Sequence, residues 1–494
     1  MKLINQTILL CFLTVLLALD ACRKPTTQLP EREMPPSVAE LAAAYKKILV
    51  AATEGWYVLY KPTAESEGIA MKIKFEENGK VKIISGLRNY HEEADNEYSF
   101  AGETILQLVF ADNSVFGELT RTVNGFNKFK IVQQEDGSFS LKRADGFDNL
   151  SYALVKVNTT NQQVLQSQIQ AVLDQIAFEE EQERLTTEAR EKIAALVEAD
   201  PGYYWENLLL ENFGARLEAI DTTARTITLA WPATGSSTAV SHTINYKPVP
   251  AGMALEPAIT KDSYTIDTLK FGAFTDGSLE IISAGNAGAG KLGWMHVPPF
   301  PYQNAIAGAP NTYTTADYFV RNGELPRFFG YTLDNMDIYY SPALQPYIED
   351  LKAYFVTQGF KADELFRLQF YNNNYNGTTI PDDHAQRNQL QLLIRNGAGT
   401  STFQVFHYDL QKLGPNHVSM VSFGTSGSSA APYKEKVVAF MNEIFTVEGF
   451  TVVPVGRNGT SASALQKLRL VSRKDSRIWL ELLVNNTTLT IYFD

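Results

Sequence analysis

Cysteine is nearly absent from this 494-residue chain, which carries only Cys11 and Cys22. No disulfide framework can hold such a body together, so it must be stabilised by core burial alone. Histidine is scarce too. His91, His242, His296, His384, His407 and His417 are the six, and none makes the H-x-x-x-H spacing of a zinc-binding helix. Basic runs are missing: Lys and Arg number 43 against 55 acidic residues, for a net charge of −12. That balance excludes nucleic acid as a partner. Beyond the first twenty-odd residues no apolar run approaches the length of about 20 that a membrane-crossing helix requires.

What is present begins at the N-terminus. Met1-Lys2-Leu3 precedes an apolar stretch from Ile8 to Leu19, followed by Asp20-Ala21-Cys22. A cationic start, a short apolar core and a small residue before the break describe a secretory signal. Leu19 and Ala21 ahead of Cys22 resemble the bacterial lipobox, in which cleavage exposes the cysteine for acylation. Cys22 is therefore expected to carry lipid, while Cys11 departs with the signal. The lipid would be the attachment to a membrane, and the outer membrane is the expected site. Arg23-Lys24-Pro25 follow directly, and Glu31 and Glu33 come only later, so the periplasmic and surface faces both stay open.

The spacing of apolar residues predicts an α+β protein in several parts. Residues 1–21 form the signal and 22–36 a proline-studded, lipidated tether. Residues 37–158 form a barrel-like domain with a leading helix, opened by the capping box Ser37-x-x-Glu40. Ile69, Met71, Ile73 and Phe75 alternate with Ala70, Lys72 and Lys74, and Asn78-Gly79 turns the chain into the next strand. Short strands with turn signals every ten or so residues read as an antiparallel β-meander, a closed, lipocalin-like barrel. Residues 159–200 form a helical connector with a charged run at 179–184, read as a solvated helix face. A β-rich region covers 201–330, and 331–494 holds a duplicated unit. Helix, Gly359-Phe360 and strand recur as helix, Gly449-Phe450 and strand, with two further strands after each. Such an α-β-β-β pair is expected to pack as two similar layers.

A family resemblance becomes visible at this point. Leu41-x-x-x-Tyr45-x-x-Ile48-Leu49, then Gly55-Trp56-x-x-x-Tyr60-x-Pro62, then Lys74-Phe75-x-x-x-Gly79-x-Val81 resembles the opening of a Bacteroidetes lipoprotein family, the domain of unknown function numbered 4302. The likeness covers roughly 37–152 and fades beyond. It implies a setting beside an outer-membrane nutrient transporter and companion lipoproteins, and it carries over no catalytic residue.

Motifs for chemistry are incomplete. Gly285-x-x-x-x-Gly290-Lys291 matches a phosphate loop, but Leu292 stands where Ser or Thr should be and Pro298-Pro299 follow, so no helix can face a phosphate. Gly424-Thr425-Ser426-Gly427 lacks the spacing of a nucleophile elbow. Asp382-Asp383-His384 lacks a third metal ligand. No catalytic residue, metal or cofactor is assigned. Binding signatures are looser. Aromatic faces with amides around them suit sugars and peptides, and two stretches have that composition: Trp294 with Phe300 and Tyr302, and Tyr371, Asn373 and Tyr375. The expected function is capture of a glycan, peptide or partner protein in a nutrient-uptake system, without catalysis. A hydrolase with a dispersed Asp/Glu/His site and a structural subunit of an outer-membrane complex are the rival readings.

Overall fold

The structure, a computed structural model, describes residues 36–146, 150–234, 236, 238–302, 314–320, 340–371, 388–425, 427–445, 447–457, 466–485 and 488–492. The chain divides into two compact units, Met1–Glu180 and Glu181–Asp494. It is a mixed α+β architecture dominated by three closed antiparallel barrels of eight strands each.

The capping box starts the first helix as its residues predict. Ser37 donates its backbone N–H to Glu40 Oε2 at 2.8 Å, and Glu40 returns its own N–H to Ser37 Oγ at 3.3 Å. Helix α1 (Val38–Ala51) follows. The first barrel is then a meander of β1 (Trp56–Tyr60), β2 (Ile69–Phe75), β3 (Lys80–Ser85), β4 (Ala94–Ala101), β5 (Gln107–Phe110), β6 (Lys128–Gln133), β7 (Phe139–Arg143) and β8 (Ser151–Lys156). Pairing of β1 with β8 at Trp56 and Lys156 closes the ring.

Alternation decides what faces inward. Met71, Ile73 and Phe75 of β2 point into the core, where they join Trp56, Tyr60, Phe110, Phe129 and Phe139. A fully buried side chain of this size contributes roughly 1.5–3 kcal/mol. Helix α1 covers this core, with the Tyr45 ring 5.1 Å from Phe139 and the Trp56 indole N–H donated to Leu49 O at 2.8 Å. A second helix, α2 (Val115–Thr122), sends Phe116 in to stack on Phe110 at 4.3 Å. The lipocalin-like meander thus has an interior filled by aromatic rings.

Helix α3 (Thr159–Glu198) runs for 40 residues. In the first unit it covers the outer face of β2. Ala70 is buried there with Leu165, Ala70 N donates to Gln168 Oε1 at 2.8 Å, and Gln168 Nε2 donates to Gly68 O at 2.8 Å. The run 179–184 lies on the solvated face, where Arg184 pairs with Glu181 at 2.7 Å. Ala189, Ile193 and Leu196, further along, belong to the second unit and enter its first core.

That core fills the second barrel: β9 (Trp205–Leu210), β10 (Gly214–Asp221), β11 (Thr226–Pro232), β12 (Ala239–Val249), β13 (Gly252–Lys261), β14 (Tyr264–Thr275), β15 (Ser278–Ala284) and β16 (Gly290–Met295). The phosphate-loop lookalike is the turn from β15 to β16, and a strand, not a helix, follows it. Its last glycine has a packing reason. A Cβ on Gly290 would lie 2.0 Å from the Leu209 carbonyl oxygen, on the strand that closes the ring.

The duplicated unit forms a third barrel. Helix α4 (Thr315–Val320) precedes α5 (Gln345–Thr357), then β17 (Lys361–Tyr371), β18 (Gln389–Arg395), β19 (Ser401–Lys412) and β20 (His417–Thr425). Helix α6 (Lys434–Ile444) leads β21 (Phe450–Arg457), β22 (Gln466–Ser472), β23 (Trp479–Asn485) and β24 (Thr488–Tyr492). Gly359, at φ +83°, follows the Gln358 cap of α5 and ends that helix in the left-handed region that glycine enters freely, whereas Gly449, at φ +75°, lies beyond the Phe445 cap of α6 and leads directly into β21. The repeated unit is therefore a helix and four strands. The two copies do not pack as two layers. They join edge to edge into one ring, through β17 with β24 and β20 with β21, because each four-stranded copy has two unpaired edges to satisfy. Phe355, Phe366, Phe370, Phe445 and Phe450 fill its core, and Phe319 of α4 packs 5.4 Å from Phe450.

Second and third barrels meet through Tyr204, Trp205 and Tyr302 on one side and Val453, Val471 and Trp479 on the other. Arg469 lies 3.8 Å over the Trp479 ring and pairs at 2.8 Å with Glu481, which is only 3% exposed.

Substituting Gly290→Ala should force β9 and β16 apart and cost about 1–3 kcal/mol, the usual range for overpacking. Calorimetry should show the transition of the second unit lowered and that of the first unchanged. An unaltered thermogram would mean that the close approach at Leu209 is not a constraint.

Candidate ligand-binding cleft

An open cleft in the second barrel arises from a failure of pairing. Strands β12 and β13 form a hairpin that pairs from Val249–Gly252 down to Asn245–Glu256, and there the register stops. Continued pairing would set residues 239–244 against 257–262. Past the last pair, Pro257 has no N–H to give to β14 on its other side, and β13 bulges, its pairing with β14 breaking off after Ala254 and resuming only at Ile259–Ile266. Strand β12 meanwhile stays with β11 throughout, Ile227 opposite Ile244 and Trp231 opposite Val240. The hairpin therefore opens as a fork, with each prong held by its outer neighbour. Between the prongs lies a cleft of about 810 Å³.

The floor is the end of the barrel core. Trp231 and the buried Ile244 and Ile259 line it. The His242 ring stacks on Trp231 at 4.0 Å with 20° between the planes, and Phe213 meets the same indole edge-on at 5.6 Å. Lys261 Nζ stands 5.7 Å from the Phe213 ring. The prongs themselves are polar and exposed at Ser241, Thr243 and Thr260. Outside the ring, the hydrogen bond from Ser241, followed by the pairing with Arg216, holds the Glu218 carboxyl below its usual range. At the tip, Thr234 donates to Asp262 and ties the start of the β11–β12 connection to the β13–β14 turn. An open mouth with a flat aromatic platform and hydrogen-bonding rims suits a ligand with one apolar and one polar side.

The aromatic stretch singled out in the sequence divides. Trp294 on β16 donates its indole N–H to Ala199 O at 2.8 Å and lines a second pocket of about 460 Å³, together with Tyr203, Lys291, His296 and Arg473. Tyr302 is not on that wall. Its hydroxyl accepts the Trp205 indole N–H at 2.7 Å in the contact between barrels, and burial pushes its pKa up to about 12. Phe300 is half-buried in the connection after β16. Tyr371 ends β17 opposite Gln389, while Asn373 and Tyr375 lie outside the described residues. So do Cys22 and Asp382-Asp383-His384.

His296 is fixed in the second pocket. Its Nδ1 accepts the Ser476 N–H at 3.1 Å, placing the ring proton on Nε2, and Tyr203 packs over it at 4.4 Å. Burial lowers its pKa, against the opposing pull of Asp475. Burial likewise pulls the Arg473 guanidinium down. Glu206, opposite Trp294 in the β9–β16 register, has its pKa raised by burial and then by Asp200. Among the described residues no group of three or more His, Cys, Asp or Glu side chains is placed to hold a metal ion, and no helix is long and apolar enough to cross a membrane.

The fork was not legible beforehand. Pro257 within an alternating run was its one sequence signal, and a proline in a strand is as readily an edge position.

A chain of eight-stranded antiparallel barrels with an opened hairpin defines a β-barrel protein with an open cleft. Residues 38–273 match the model of a family described as Domain of unknown function (DUF4302). The match extends the resemblance of the opening residues past 152, through the first barrel and α3 and into β14. It takes in both prongs of the fork and stops short of Trp294. No curated protein and no solved structure matches the chain.

The depressed His296 pKa has a consequence for stability. As pH falls, the unfolded chain takes up this proton first, near 6.5, while the folded state resists. The stability contributed by neutral His296 is thus complete above about pH 6.5 and is lost as pH drops toward the folded value. In urea titrations across this range, the stability difference between wild type and His296→Gln should shrink as pH falls. A difference independent of pH would refute the assignment.

Proposed function

We propose that this protein is a lipid-anchored binding protein of the outer membrane, serving a nutrient-uptake transporter and its companion lipoproteins, and that it holds its ligand in the fork of the second barrel without altering it. The observation that carries this reading is the 810 Å³ cleft with its stacked Trp231–His242 platform. A barrel that keeps two strands apart over an aromatic floor leaves apolar surface available that closure would have buried, and such surface marks binding sites. The setting is supported by the lipobox-like Leu19-x-Ala21-Cys22, by the proline-studded segment from Arg23 to Pro36 as a stand-off tether, and by the resemblance of the opening to envelope lipoproteins. Both prongs of the fork fall within the matched family region.

Three measurements test the parts separately. Growth with an alkynyl palmitate should label the wild-type protein and leave Cys22→Ser unlabelled. Label retained in that variant would rule out the anchor. Pull-down from solubilised native membranes should recover a transporter and its lipoproteins. Bound small molecules or peptides released from the wild type should fall at least about tenfold in a His242→Ala variant, a loss of about 1.4 kcal/mol of binding energy. Equal recovery of ligand from both would remove the fork as the site.

A further inference from the structure

We infer that the occupant of the fork is an extended peptide, which enters as an additional β-strand and hydrogen-bonds to both prongs. The inference rests on the reading of the fork as the ligand site and names the class of ligand.

Strand geometry decides the matter. In an antiparallel sheet, successive residues direct their N–H and C=O alternately to one neighbour and the other. Tyr246 donates to Arg225 O at 2.8 Å, so the even-numbered residues of β12 serve β11. Val240, His242 and Ile244 are thereby engaged, and Ser241 and Thr243 turn their backbone groups into the cleft. On the other prong, Lys261 faces Tyr264 across the two-residue turn at Asp262-Ser263, with Asp262 at φ +54°. Lys261 and Ile259 therefore serve β14, while Ala258 and Thr260 face the cleft. Four residues with two backbone groups each confront one another where Thr243 would have paired with Ala258 and Ser241 with Thr260.

Such rows are templates for a further strand, and β-augmentation is the recognition mode that uses them. Most edges offer one row. Here two rows point at the same space, so an inserted strand, antiparallel to one prong and parallel to the other, would be paired on both sides. Side-chain alternation then specifies the ligand. Every second side chain of the insert would face Trp231, His242, Ile244 and Ile259, and the others would lie outward with Ser241, Thr243 and Thr260. The prongs span six residues each, so the ligand is a peptide of about six extended residues, rising about 3.3 Å per residue, apolar at alternate positions. A sugar makes no use of backbone groups set at strand spacing.

The test is amide hydrogen exchange on the full chain. The probes are a pool of synthetic heptapeptides with Val, Leu or Phe at alternate positions and Ser or Thr between, the same pool N-methylated at every second amide, and maltoheptaose. The free protein should exchange quickly at Ser241, Thr243, Ala258 and Thr260 and slowly at Val240, His242 and Ile244. The unmodified pool should slow the first four at least about tenfold and leave the other three unchanged. The N-methyl groups strip the donors that face one prong and project into its row, so the methylated strand should fail to insert and the protection should be lost. Slow exchange at the four amides without peptide would mean the fork closes on itself, and would overturn the proposal. So would equal protection by the methylated pool, or no protection by either. If maltoheptaose instead binds and His242→Ala removes it, strand addition falls while the fork stands as the ligand site. If His242→Ala leaves binding of every probe unchanged, both fall.

Discussion

Backbone hydrogen-bond closure is the constraint on which this molecule depends. A sheet ends in two edges whose N–H and C=O groups must be satisfied, and a chain whose only two cysteines, Cys11 and Cys22, precede the first barrel has few other ways to restrain them. This protein solves the problem three times with rings of eight strands. Closure sets which side chains face inward, and so it creates the aromatic core around Trp56, the aliphatic one around Leu229 and Leu269, and the phenylalanine-rich one around Phe370. It also explains why glycine is required at Gly290, where two strands approach too closely for a side chain. Seen against that rule, the unpaired stretch between β12 and β13 is the exception that matters, because the chain gives up pairing there that it secures elsewhere.

Legibility in the sequence followed the regularity of the pleat. The first barrel could be read because β2 and its neighbours keep strict alternation and because Asn78-Gly79 and Asp136-Gly137 mark turns. Helix α3 announced itself through Leu165, Ile169 and Val172. The second barrel was only partly legible. Its strands carry bulges between Leu217 and Ala219, between Ala254 and Ile259, and between Phe271 and Phe274. Each bulge shifts the phase of the side chains, so a period of two cannot be followed across it. Strand β12 in addition shows water a run from Val240 to Thr243, so no alternation marks where it begins. In the third barrel both helices with their Gly-Phe exits were visible, but ring closure was not, because it depends on pairing between residues more than a hundred positions apart.

The candidate site was the least legible part for a related reason. A cleft made by strands that fail to pair leaves no motif, since its backbone groups belong to any residue type. Trp294 was singled out for its ring and does line a pocket, whereas Tyr302, chosen on the same grounds, is spent on holding Trp205. Composition identifies rings that could bind. Only topology tells which of them face a cavity and which face a neighbouring barrel.

The paired halves of the third barrel carry an implication about ancestry. A helix with four strands ends in two raw margins and cannot bury its apolar face alone, so as a separate polypeptide it would persist only by meeting a copy of itself. Such a twofold assembly dissociates on dilution. Joined in one chain, through 427–445 between β20 and β21, the same encounter becomes intramolecular, and its completeness no longer depends on how much protein the cell makes. Freed from the demands of symmetry, each half can change without the other. The two seams already differ, for β17 and β24 run together at 367–370, whereas β20 and β21 meet only at His417 and Val418.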